Sequence, residues 1–229
     1  MQKRLKKPLW CSLGDSITFR NSWQPFVTQA LELTHVNCGI GSTTVAFPAR
    51  HVTRPAFCTD ERLGLGEYAH VKRLVTDDGV PYAPVLSHAP DIVTIFGGAN
   101  DTLYTKALGD ESELAKPIEE KDRTVFFGAY SYVVEALRKH QPGVNLFLIT
   151  LFPMTSNHQI PVVITQEECN RAIRKIAEYY NLPVIDLAQE LGHWKEEYLP
   201  FLPDGVHPNE EGGRVIAKVV TEALRPVIG

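Results

Sequence analysis

Residues Asp91–Asp101 read DIVTIFGGAND. The run Asp91-Ile92-Val93-Thr94-Ile95-Phe96 is short, apolar and β-branched, as in a strand buried on both faces. It stops at Gly97-Gly98 and gives way to a turn carrying Asn100 and Asp101. A strand covered on both sides needs helices above and below it. This stretch therefore predicts a parallel sheet inside an α/β domain.

The neighbouring sequence repeats the pattern. Asn145–Thr150 (NLFLIT) and Leu182–Leu187 (LPVIDL) read as further buried strands, with weaker ones at Leu9–Leu13 and His35–Cys38. Helical patterns lie between them. WQPFVTQALEL (Trp23–Leu33) tolerates Pro25 because it falls in the first turn. Arg123–His140 gathers Val125, Phe126, Tyr130, Val133, Val134 and Leu137 on one face and stops at QPG. Gln166–Tyr180 follows Thr165, a candidate N-cap, and carries Ile173, Ile176, Ala177 and Tyr180 at helical spacing. A last helix follows Asn209 and is expected to bury Val215, Ile216, Val219 and Val220. Two segments break the alternation: Val45–Ser87, with a helix expected near Glu67–Val75, and the charged Gly109–Asp122. Long connections in such a fold shape a site or are merely mobile.

At 229 residues, 44% apolar and 22% charged, the chain suits one domain with a substantial core, expected over 1–229. A net charge of −4 gives no electrostatic reason to expect nucleic acid. The basic cluster Lys3, Arg4, Lys6 and Lys7 is followed by PLWCSLGDS, too short and too soon polar for a signal peptide. No run approaches the roughly 20 apolar residues of a membrane span. Cys11, Cys38, Cys58 and Cys169 form no C-x-x-C pair and no zinc-ligand spacing with histidine, so reduced thiols and a cytoplasmic location are expected. A Cys11–Cys38 disulfide stays open if their strands are neighbours.

Ligands of an open parallel sheet bind beyond the carboxyl ends of its strands. The turns there are Gly14-Asp15-Ser16, the stretch Gly39-Ile40-Gly41-Ser42-Thr43-Thr44, Asn100-Asp101, and Asp204-Gly205-Val206-His207-Pro208-Asn209. Together they compose an acyl-transfer site. Ser16 supplies a hydroxyl, a poor nucleophile until His207 takes its proton. Asp204, three residues before His207 across a glycine, can reach Nδ1, set the tautomer and stabilise the imidazolium. The N–H of Ser16, an N–H of Gly41 or Ser42, and the Asn100 amide can face the oxyanion, where one donor is typically worth about 10²–10³ in rate.

The chain resembles the GDSL esterase/lipase family, the SGNH hydrolases. Ser16 in GDSIT matches the family's first-block serine, Asn100 in PDIVTIFGGAND its third-block asparagine, and Asp204 and His207 in DGVHPN its last-block pair. The resemblance runs from the first strand to the final helix. It implies a flavodoxin-like three-layer α/β/α sandwich with a five-stranded parallel sheet, and ester hydrolysis with no metal or other cofactor. One block departs: NCGIGSTT set against N-x-G-I-x-G-x-T puts Ser42 where glycine usually stands. Whether the Gly41 or the Ser42 N–H points inward stays open.

Taken singly, these motifs are ordinary turns and caps; their conjunction on one rim favours a hydrolase. The glycine-rich stretch lacks the third glycine of a dinucleotide fingerprint and a P-loop lysine. A metal phosphoesterase on Asp15, Asp101, Asp204 and His207 would leave Ser16 and Asn100 idle, and a non-catalytic carbohydrate binder would not need them. The resembled family covers lipid esters, thioesters and acetylated sugars. The polar insertions and lack of a lipase-like lid point to short acyl groups, with a small-molecule or carbohydrate O-acetyl ester expected. Lysophospholipase or thioesterase action at the same site is the alternative. Trp194, Tyr198, Phe201, Phe47, Phe57 and Tyr82 are core, sugar-stacking or acyl-pocket candidates. His51, His70, His88, His158 and His193 share no spacing. No membrane or nucleic-acid partner is expected, and oligomeric state is not legible.

Overall fold

The computed structural model describes residues 7–50, 52–155, 160–192 and 195–228. Lys3, Arg4, Lys6, His51, His158, His193 and Trp194 lie outside the described residues. Five parallel strands, β1 (Leu9–Gly14), β2 (Thr34–Gly39), β3 (Ile92–Phe96), β4 (Asn145–Ile149) and β5 (Val184–Ile185), form one sheet in the order β2-β1-β3-β4-β5. The direction of travel reverses between β1 and β3. Because parallel crossovers are right-handed, that reversal sends the helices to opposite faces. On one face α2 (Gln24–Leu31) packs against α6 (Glu210–Leu224); on the other, α4 (Phe126–His140) packs against α5 (Gln166–Tyr180). Two single-turn helices, α1 (Ser16–Phe19) and α3 (Asp101–Tyr104), start at the sheet's carboxyl rim. The expected three-layer sandwich is the fold observed.

The stretch DIVTIFGGAND does what its composition requires. All five residues of β3 are buried. Trp10 Nε1 donates to Thr94 Oγ1 at 3.0 Å, and Trp23, just before α2, packs its ring on both Trp10 and Phe96. On α4, the Tyr130 hydroxyl donates to the Ile95 carbonyl at 3.3 Å. The helix ends follow local chemistry. Thr165 and Glu168 form a reciprocal capping box at α5, and Asn209 accepts the Gly212 N–H at the start of α6.

Several expectations are corrected. Glu67–Val75 is not a helix: Gly66–Tyr68 makes one 3₁₀ turn, and Leu74–Val75 pairs antiparallel with Pro81–Tyr82 around a tight turn. Apolar spacing alone cannot support so short and Gly-flanked a helix. β5 is only Val184–Ile185, since Leu187 opens the helix Leu187–Gly192. Val215 and Val219 are half-buried, on the border of the α6 apolar face. Gly109–Asp122 is ordered around a buried lysine: Lys121 Nζ donates to the Glu113 and Leu114 carbonyls and pairs with Glu135 at 3.1 Å. Cys11 and Cys38 are on neighbouring strands, yet all four cysteines are buried free thiols. Among the described residues no helix is long and apolar enough to cross a membrane.

The Val45–Ser87 insertion contributes a fully buried arginine to the core. Arg62 donates from Nη1 to the Cys38 carbonyl at 2.9 Å and from Nη2 to the Gly14 carbonyl at 3.0 Å. It thereby ties β1 and β2 together where both run out. Replacing Arg62 with methionine keeps the bulk but removes two charged hydrogen bonds, each worth about 1.5–3 kcal/mol, offset in part by relief of the guanidinium's desolvation. We expect Arg62→Met to lower the thermal midpoint by roughly 5–15 °C, allowing about 2–4 °C per kcal/mol for a chain of this size. A calorimetric midpoint equal to that of the parent would show that the bracket is dispensable.

Candidate active site

β1 ends at Gly14, and a Cβ there would collide with the buried Thr18 side chain folded back from α1. Glycine lets the chain turn this sharply, and Asp15 caps α1 by accepting the Ile17 N–H at 3.0 Å. Ser16 is thus the first residue of α1, its Oγ turned toward the rim. His207 Nε2 lies 2.7 Å from Ser16 Oγ, and His207 Nδ1 lies 2.8 Å from Asp204 Oδ2. The other Asp204 oxygen accepts the N–H of His207 at 2.7 Å and of Val206 at 3.1 Å. Gly205 makes this tight loop possible: its φ is +79°, and a Cβ would run into the Thr155 carbonyl.

The chain matches the model of the GDSL-like lipase/acylhydrolase family over residues 12–215. It belongs to that family, and is a serine ester hydrolase. Solved structures share the fold. A possible lipase from Chitinophaga pinensis is 18% identical with a TM-score of 0.68, covering 96% of this chain and 99% of that one. A lipase/acylhydrolase from Enterococcus faecalis is 18% identical with a TM-score of 0.61, covering 96% of each chain. An acetyl xylan esterase is 20% identical with a TM-score of 0.61, covering 94% of this chain and 99% of that one. Comparison with curated protein sequences gives no significant match.

The other site residues of this GDSL-like chain meet on the same rim. Asn100 donates one amide N–H to the Thr43 carbonyl at 2.9 Å, which fixes the amide and leaves its second N–H free. Ser42 is exposed and has a φ of +60°, the left-handed region where the family's glycine is at ease. Gly41 is buried, and a Cβ on it would touch Ser16 Cβ at 3.9 Å. A cleft of about 800 Å³ holds Ser16, Ser42, Asn100, Asp204 and His207 in its lining. Its wall includes Leu103, Met154, Val162 and Ile164, none of them foreseen from sequence. The chain at Val163 and Ile164 is pinned to α3, both N–H groups donating to the Thr102 carbonyl at 2.8 and 3.3 Å. Among the described residues of Val45–Ser87 only Val52 reaches the lining, and Gly109–Asp122 contributes nothing to it. Tyr198, Phe57 and Tyr82 are buried in the body of the fold, and Phe201 and Phe47 are half-buried; none lines the cleft.

The carboxylates divide by environment. For Asp204, burial pushes upward, but the His207 N–H, the His207 ring and the Val206 N–H outweigh it and hold the group well below the usual carboxylate range. Arg20 stands beside it at 3.5 Å, an exposed pair of small worth. Asp15 and Asp101 are fully buried, and burial pushes each up to about 7. The Val45 and Ala46 N–H groups bonded to Asp101 at 2.9 and 3.0 Å oppose that rise. Among the described residues no three His, Cys, Asp or Glu side chains converge as a metal site; Asp15 and Asp101 face backbone N–H groups instead.

Between about pH 4 and pH 7 the folded chain keeps protons on Asp15 and Asp101 that the unfolded chain has lost. Their contribution therefore lowers stability as pH rises through that window, whereas Asp204 titrates below it. Asp15→Asn keeps an oxygen for the Ile17 N–H and removes the buried charge. We expect its thermal midpoint to fall less than that of the parent between pH 5 and pH 8. Parallel midpoint–pH curves for the two proteins would contradict the assignment.

Proposed function

We propose that this chain hydrolyses short-chain acyl esters through Ser16, His207 and Asp204, without a metal. The observation that carries the reading is the unbroken hydrogen-bond chain from Ser16 Oγ through both ring nitrogens of His207 to Asp204. As Oγ attacks the acyl carbon, its proton passes to Nε2 and the carbonyl oxygen becomes an oxyanion. The Ser16 N–H, the Ser42 N–H and the free N–H of the Asn100 amide receive that charge. His207 then returns the proton to the leaving alcohol, and water, activated by the same ring, releases the acid from Ser16. Asp204 holds the ring with Nδ1–H toward itself, so that Nε2 is the basic nitrogen.

The cleft lining also carries Arg20, Thr165 and Gln166, polar groups that suit a polyhydroxylated leaving group such as a sugar. A second reading rests on the wall of Leu103, Met154, Val162 and Ile164, which offers apolar surface to an acyl chain longer than acetyl.

A p-nitrophenyl ester series from acetate to octanoate, assayed with chelator present, tests both. We expect turnover to survive the chelator and to fall by about 10⁴-fold or more in Ser16→Ala, with the fold intact by circular dichroism. A maximum at acetate supports the short-chain reading, and one at six to eight carbons the second. Equal turnover in parent and Ser16→Ala would remove Ser16 from the mechanism.

A further inference from the structure

One cation outside the catalytic trio bears on the site. Arg54 donates from Nη1 to the Gly41 carbonyl at 2.8 Å, while Nε reaches Asp78 Oδ2 at 3.1 Å and Nη2 the same oxygen at 2.5 Å. Asp78 is well seated. Thr76 Oγ1 donates to it, the Val80 N–H donates to Thr76 Oγ1 at 2.9 Å, and the Thr76 N–H donates to the Val80 carbonyl at 2.9 Å. The Arg54 hydrogen bonds, seconded by Thr76, hold the Asp78 carboxyl down at about 2, so the pair stays charged in any ordinary assay.

The Gly41 carbonyl and the Ser42 N–H belong to the same peptide unit. No peptide in the described chain is cis, so the two groups point in opposite directions. With the carbonyl drawn toward Arg54, the Ser42 N–H is turned to the other side. Ser42 itself lines the cleft, and Arg54 does not. The peptide also needs holding, because Ser42 keeps a left-handed backbone whose strain surrounding contacts must offset. A charged donor on the carbonyl further polarises the peptide and strengthens its N–H as a donor.

We propose that Arg54, seated by Asp78, is the positioning residue for the oxyanion hole, fixing the Gly41–Ser42 peptide with its N–H toward the developing charge. This rests on the reading of Ser16 as nucleophile. A good oxyanion donor is worth about 10²–10³ in rate, so a donor left in place but unaligned should cost roughly 10-fold or more.

The test compares parent, Arg54→Ala, Arg54→Lys and Asp78→Asn for kcat and KM on one p-nitrophenyl ester. It adds inhibition by an alkyl trifluoromethyl ketone, whose hemiketal on serine places an oxyanion in the same hole, and labelling of Ser16 by a fluorophosphonate. We expect Arg54→Ala to lower kcat about 10-fold or more with KM within about 2-fold, and to weaken the ketone by the same factor as kcat/KM. Arg54→Lys, which cannot fork to carbonyl and carboxylate together, should fall between, and Asp78→Asn should show a smaller loss in kcat. Unchanged kcat, a change confined to KM, or a kcat loss with ketone affinity intact would each overturn the proposal. Circular dichroism separates these from unfolding; should Arg54→Ala unfold, Arg54→Lys and Asp78→Asn decide by the same criteria. If the parent is labelled at Ser16 and Arg54→Ala behaves as parent, only this inference falls. If the parent resists the label and Ser16→Ala retains turnover, the nucleophile reading falls and takes this one with it.

Discussion

A single buried guanidinium stands under the ends of β1 and β2. Strands of a parallel sheet stop bonding to each other where they splay apart, and that is where this molecule places its chemistry. The Gly14 carbonyl accepts the Ile40 N–H at 3.0 Å, and Arg62 adds a charged donor there and another at the Cys38 carbonyl, bracing the two strand ends against each other. Burial lowers its pKa to about 10, so it stays charged at neutral pH. The rings of Phe57 at 5.3 Å and Tyr82 at 5.8 Å take up part of the desolvation cost through their faces. Phe57 and Tyr82 both come from the long insertion, which thus acts chiefly as a floor beneath the Gly14–Ser16 turn.

On that floor the site is assembled from parts of unequal range. Asp204 and His207 find each other locally, through a loop that Gly205 allows to close. Ser16 and His207 are 191 residues apart and meet only because the sheet and α6 hold both ends of the chain in place. α6 is capped by Asn209, two residues beyond His207, so the cap that starts the helix also anchors the Asp204–His207 loop. Any slackening of the α2–α6 face would be felt at the 2.7 Å contact between Oγ and Nε2 before it was felt in the fold.

Much of this was legible in the sequence because local chemistry decided it. Thr165 with Glu168 and Asn209 with Gly212 mark their helix starts through side chains a few residues from the bonds they satisfy. The buried strands announce themselves by composition, and Ser16, Asn100, Asp204 and His207 by the turns that follow those strands. What stayed hidden depends on partners far along the chain. Lys121 reads as part of a solvated charge run until Glu135 and two carbonyls surround it. Leu103, Met154, Val162 and Ile164 look like ordinary apolar residues, and only the pinning of Val163 and Ile164 to Thr102 makes them a wall. Arg62 and Arg54 carry no local signal, because a backbone carbonyl as acceptor leaves no mark in a sequence.

The carboxylates show how one rim sustains opposite demands. Asp204 is half-exposed and bonded by three donors, so its charge is inexpensive to keep and available to His207. Asp15 and Asp101 immediately flank the reactive groups in sequence, Asp15 before Ser16 and Asp101 after Asn100, yet both are fully buried and turned toward backbone N–H groups. In the proposed mechanism a charged carboxylate aimed into the cleft at either place would repel the oxyanion. Burying them satisfies the turn amides and leaves both out of the cleft lining. The same Asp that caps α1 is thereby held apart from the cleft that Ser16 lines.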